Sequence, residues 1–117
     1  MSVVIYHNPA CGTSRKVLAR LREAGLEPKV VEYLKTPPDR ETLKGLLGRM
    51  GKSVRDILRK RGTPYAELGL DDPALGDEQI FDAIEKHPIL IERPIVVVGD
   101  KAALCRPPEA VEALLGG

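Results

Sequence analysis

The chain has 117 residues, a formal net charge of +1, 43% hydrophobic residues, no Trp and only 3% aromatics. A chain of this length is most simply one domain. It can hide roughly two-thirds of its unfolded surface in an aliphatic core without disulfides. Balanced charge excludes a nucleic-acid or membrane-surface role driven by bulk charge, so any anion site must be local.

Val3-Val4-Ile5 is an apolar run that reads as a buried strand over residues 3–7, and the pattern from about Thr13 to Ala24 predicts an amphipathic helix stopped by Gly25. Cys11 thus falls in a tight strand-to-helix turn. Val30-Val31 with Tyr33-Leu34 reads as a second strand, which makes a right-handed βαβ unit with parallel strands. Thr36-Pro37-Pro38-Asp39 reads as a helix start with Thr36 as cap and Pro37 in the first position. The helix continues through Leu43, Leu46, Leu47 and Met50 to Gly51. Ser53 and Asp56 form an acidic capping box that opens a short helix with Arg59, Lys60 and Arg61 at its end.

From Gly62 to Gly76 the chain is rich in Pro, Gly and Asp, with one helical turn expected at residues 65–68. Asp77 is expected to cap a helix bearing Ile80, Phe81 and Ile84 that ends at His87-Pro88. Residues 37–88 are therefore a helical block between two parts of a sheet. Pro94 to Val98 reads as a strand, Gly99-Asp100 as a hairpin turn and Lys101 to Cys105 as its antiparallel partner. A last helix runs from Pro107-Pro108-Glu109 to Gly116. A βαβ unit, a helical insertion and a ββα unit together make an α/β, thioredoxin-like mixed sheet within a single domain over residues 1–117. That fold commonly sets a cis-proline before its third strand, so Pro94 is expected to be cis.

The Cys11 turn carries the chemistry. Backbone N–H groups of the first helical turn and the positive end of the helix dipole favour thiolate over thiol there. Thr13 and Ser14 add hydroxyl donors. Ser14 stands where a dithiol oxidoreductase would carry its second cysteine, so an external thiol must resolve any adduct. Val17 stands where a Cys-x5-Arg phosphate loop needs arginine. Two cysteines and two histidines give neither a disulfide framework nor metal-ligand spacing. Cys105 reads as a small core residue rather than a resolving thiol, and His87 as structural. Among ten arginines, Arg93 before Pro94 and Arg106 between strand and helix can converge on Cys11, or can be solvated surface charges.

The stretch Tyr6-His7-Asn8-Pro9-Ala10-Cys11-Gly12-Thr13-Ser14-Arg15 resembles the active-site segment of the glutathione- and glutaredoxin-coupled arsenate reductases, the ArsC family. Further segments follow that family in the same order: Tyr33 to Pro38, Val54 to Lys60, His87 to Val97, and Leu104-Cys105-Arg106-Pro107. The resemblance implies that Cys11 thiolate attacks arsenate to give a covalent thiol–arsenate adduct. Arg59, Arg93 and Arg106 match the family's oxyanion-binding arginines, and Asn8, Gly12 and Thr13 of the turn join them in holding substrate. His7 and Ser14 complete the catalytic set with Cys11. His7 either lowers the thiol pKa, as the resemblance implies, or only hydrogen-bonds the turn.

Glutathione would serve as thiol co-substrate and glutaredoxin as electron donor, with no bound cofactor or metal. A monomer in the reducing cytoplasm is expected, with no nucleic-acid or membrane partner. Two alternatives remain on sequence grounds. One is a glutathione-dependent thiol reductase of the same fold that ignores arsenate. The other is an Spx-like regulator of RNA polymerase, whose usual Cys-x-x-Cys pair is missing here.

Overall fold

The computed structural model describes residues 2–116. Its elements are β1 (Val3–His7), α1 (Gly12–Glu23), β2 (Lys29–Glu32), α2 (Arg40–Met50), α3 (Asp77–Lys86), β3 (Ile95–Val98), β4 (Lys101–Leu104) and α4 (Val111–Leu115). The chain divides into two compact units, one comprising residues 1–36 with 93–117 and the other residues 37–92.

The first unit is a four-stranded mixed sheet in the order β2-β1-β3-β4. β1 pairs parallel with β2, setting His7 level with Glu32, and antiparallel with β3, setting Ile5 opposite Val96. This is the thioredoxin-like arrangement. Val3 and Ile5 of β1 and Val96 and Val98 of β3 lie on one face of the sheet, because side chains alternate along a strand. They form one core with Val17 and Leu21 of α1, Val111 and Leu114 of α4, and Cys105. β3 is buried at all four positions, as its continuous Val and Ile run requires. Gly99 closes the β3–β4 hairpin at φ 62°, a left-handed conformation that glycine adopts without steric cost.

The second unit is helical. Leu43, Leu46 and Leu47 of α2 are buried, as are Ile80, Phe81 and Ile84 of α3. Arg40 of α2 donates to Glu78, Asp82 and Glu85, one acidic edge of α3. Arg55 donates to the carbonyls of Leu70, Asp72 and Leu75, which ties down the irregular segment before α3.

Several boundaries differ from the sequence expectation. Tyr33 and Leu34 form a turn rather than extending β2, with Lys35 and Thr36 N–H both donating to Glu32 O. α2 is capped by Asp39 and not Thr36: the Asp39 carboxylate accepts from Thr42 N at 2.8 Å. The Pro37-Pro38 pair holds the preceding residues out of helical conformation.

Ser53 and Asp56 do form a capping box, but the element is a single 3-10 turn, Val54–Ile57. Leu58 is extended and bridges Ile91, so Arg59, Lys60 and Arg61 follow the turn instead of ending a helix. The one helical turn expected at residues 65–68 is present, with Leu68 N donating to Pro64 O at 2.9 Å, within a longer run of turns. Gly76, not Asp77, precedes α3, where Gln79 Oε1 accepts from Gly76 N. Pro94 lies outside β3 and Cys105 outside β4. The final helix opens with a 3-10 turn over Pro108–Ala110. The Arg93–Pro94 bond is cis as expected, and so is Arg106–Pro107, which sequence reasoning did not single out.

Candidate functional site

β1 ends in a turn built by Asn8. Its Oδ1 accepts from Ala10 N at 3.0 Å and its backbone carbonyl accepts from Cys11 N at 3.0 Å. Asn is suited to this because its short side chain can stand in for a backbone acceptor two residues on. The turn leaves Cys11 extended, with φ −92° and ψ 121°, as the N-cap of α1. From there the sulfur faces the first-turn N–H groups.

Ser14 locks this turn from beneath. It is fully buried, and its Oγ lies 2.6 Å from His7 Nδ1 and accepts from Asn8 N at 3.1 Å. Burial lowers the His7 pKa; Glu32 opposes that shift, and Arg22 and Arg15 add to it. The ring is therefore neutral at pH 7. A neutral ring keeps one nitrogen able to accept, so the Ser14 hydroxyl can donate to Nδ1 while its oxygen receives Asn8 N–H.

The thiol lies among donors. Arg106 Nη1 is 3.6 Å from Cys11 Sγ and donates to the Arg93 carbonyl at 2.9 Å. Partial burial works to raise the Cys11 pKa. It is outweighed by the Ser14 backbone N–H and by the Arg93 and Arg106 guanidinium groups, which together bring it down to about 7. A substantial share of the sulfur is then thiolate at neutral pH. Arg93 is 8% exposed, and its Nε and Nη1 have no hydrogen-bond partner. A buried cation with open donors is costly unless something occupies them, and a guanidinium fork suits an oxyanion. Neither Arg93 nor Arg106 is a solvated surface charge.

The remaining residues of interest are placed as follows. Thr13 is half-buried on the first turn of α1. A Cβ on Gly12 would meet only Arg15 Nη2, at 3.7 Å, so packing does not demand glycine there. Arg15 itself donates to Pro9 O and so braces the turn. Arg59 belongs to the second unit, where it pairs with Glu92 at 2.9 Å and donates to Arg61 O. Cys105 is fully buried, and burial pushes its thiol up to about 12, which leaves it protonated and inert.

The sequence reads Tyr33 as part of an apolar strand and as the first residue of a segment resembling the family, without a role of its own. It is fully buried, with its phenol beside Arg93 and Asn8, and burial raises its pKa. Its residue-level context points to packing, since an aromatic beside Val30 and Val31 reads as core. No group of three or more metal-ligating side chains occurs among the described residues, and no helix among them is long and apolar enough to cross a membrane.

The ArsC family pattern matches residues 6–114, almost the whole chain. The chain belongs to the ArsC family. Members with curated names agree: the arsenate reductase of Rhizobium meliloti is 56% identical over 98% of this chain and 82% of its own length. That of Escherichia coli K12 is 50% identical over 97% and 81%. Among solved ArsC structures, the arsenate reductase of Vibrio cholerae is 48% identical over 97% of each chain, with a TM-score of 0.91. The ArsC likeness therefore extends from the Cys11 turn to α4 and takes in both compact units.

Proposed function

We propose that this chain reduces arsenate to arsenite, with Cys11 as the nucleophile. The observation that carries the reading is a thiol of pKa about 7 beside Arg106, with the open, buried donors of Arg93 next to it. Its kinship with enzymes named arsenate reductase supports the choice of oxyanion. Cys11 thiolate attacks As(V) and one arsenic hydroxyl leaves as water, giving a Cys11 S–As(V) adduct. Arg93 and Arg106 neutralise the charge on its remaining oxygens, and the first-turn N–H groups of α1 add donors. Asn8 and Thr13, which share the first compact unit with Cys11, complete the substrate set. The bare Gly12 Cα leaves room for the anion. Ser14 and His7 are positioning residues that fix the turn rather than touch arsenic.

Ser14 in place of a second cysteine means that the next thiol comes from outside, and glutathione fills that role. Its sulfur bonds to arsenic with loss of a second hydroxyl as water. A glutaredoxin thiol then attacks the glutathione sulfur. The S–As electron pair stays on arsenic, which becomes As(III), and a glutaredoxin–glutathione disulfide departs. Water cleaves the Cys11 S–As bond to release arsenite. Two free thiols and this thiol currency fit the reducing cytoplasm. The test is arsenite production from arsenate by the purified chain with glutathione and glutaredoxin. Absence of arsenite above the rate without the chain overturns the proposal.

A further inference from the structure

Along α1, which Cys11 caps, the helix and the segment after Arg106 enclose a groove of about 410 Å³ lined by Lys16, Arg20, Pro108, Glu109, Val111 and Glu112. Its Pro108 wall lies two residues along the chain from Arg106, whose Nη1 is 3.6 Å from Cys11 Sγ. Val111, 1% exposed, gives it an apolar floor. The charges divide in an informative way. Arg20 and Glu112 satisfy each other at 2.5 Å at one end. Lys16 and Glu109 are exposed, opposite in sign, and have no hydrogen-bond or ion-pair partner among the described residues. Two unlike open charges over a small apolar floor match an amino-acid head group, which carries an ammonium and a carboxylate on one carbon.

We propose that this groove seats the γ-glutamyl head of glutathione, with Lys16 taking its α-carboxylate and Glu109 its ammonium. The inference rests on the arsenate-reductase reading for its choice of thiol. The reach fits. Lys16 lies five helical residues from Cys11, roughly 7–8 Å along the axis. The γ-glutamyl head of an extended glutathione stands roughly 7–10 Å from its own sulfur. A head held at Lys16 and Glu109 therefore delivers the thiol to an adduct on Cys11. Lys16 and Glu109 are specificity residues for the second thiol and leave the Cys11 pKa unchanged.

The test uses S-methylglutathione, whose thioether cannot react, with the full chain. Amide shifts in its NMR spectrum are expected to cluster on residues 16–20 and 109–112. Cysteinylglycine, which lacks the head, should leave them in place. In turnover, Lys16→Glu or Glu109→Lys should raise KM for glutathione on the order of fivefold to tenfold, with KM for arsenate within about twofold. The double variant Lys16→Glu/Glu109→Lys should recover most of that loss, since the zwitterion can bind reversed. S-methylglutathione shifts that fall elsewhere, or single variants with an unchanged KM for glutathione, overturn the proposal. A chain that binds S-methylglutathione at this groove yet makes no arsenite upholds the seat and removes arsenate as substrate.

Discussion

One nitrogen of Arg106, Nη1, stands 3.6 Å from Cys11 Sγ and 2.9 Å from the Arg93 carbonyl oxygen. The carbonyl holds the guanidinium in place whether the sulfur is thiol, thiolate or adduct. The positive charge therefore does not need to be recruited when the sulfur ionises, and such preorganisation is what makes a charge effective in a partly dry site. The same bond joins the segment carrying Arg106 to the backbone of Arg93. The Arg106 side chain is thus anchored to the backbone at Arg93.

Removing that charge tests its effect on the sulfur. Arg106→Ala should raise the Cys11 pKa, because one of the groups outweighing its desolvation is lost. The rate of iodoacetamide alkylation against pH should be half-maximal near pH 7 in the parent and displaced to higher pH in the variant. At pH 7 the variant should react severalfold more slowly, since less of it is thiolate. An unmoved profile would show that Arg106 does not stabilise the anion.

The two cysteines should separate cleanly. Cys11→Ser should abolish arsenate reduction. Cys105→Ser should retain most of it, because that thiol is sealed in the core and held protonated. The serine hydroxyl would replace a weakly polar thiol at a fully buried position, so a loss of about 1–3 kcal/mol in denaturant unfolding is expected. Equal loss of turnover in both variants would show that the thiols are misassigned.

Ser14→Ala should act on the turn rather than on the charge. It leaves the buried Asn8 N–H and His7 Nδ1 without their shared partner, which costs about 1–3 kcal/mol. The Ser14 backbone N–H that steadies the thiolate remains. The alkylation profile should thus keep its midpoint while stability falls. A midpoint displaced upward as far as in Arg106→Ala would make Ser14 a direct contributor to the thiolate.

Much of this was legible in the sequence. The helix stop at Gly51 and the hairpin at Gly99-Asp100 were readable because glycine and strand periodicity act locally. Cys11 was readable because a strand-to-helix turn presents its own N–H groups. What stayed hidden depends on contacts remote in sequence. The choice of Asp39 over Thr36 as cap depends on which carboxylate or hydroxyl reaches a free N–H. The placing of the Tyr33 phenol beside Arg93 and the Arg55 contacts with three carbonyls depend on partners remote in sequence. The short Ser53 helix was overread because a capping box marks a start and says nothing about length.

Arg93 offers the sharpest separation of function from stability. Its Nε and Nη1 are buried without hydrogen-bond partners, so those two donors carry a desolvation cost in the folded chain that its contacts with Cys11 and Tyr33 do not relieve. Arg93→Met keeps the length and apolar stem while removing the charge, and should leave the melting temperature unchanged or raise it. The same substitution removes a fork for the arsenate oxygens. KM for arsenate should then rise by at least about tenfold, in line with losing a hydrogen bond to a charged group. A structural arginine would behave in the opposite way, with stability falling and KM for arsenate holding. Thermal unfolding and steady-state kinetics on the one variant therefore decide whether those open donors exist for an anion.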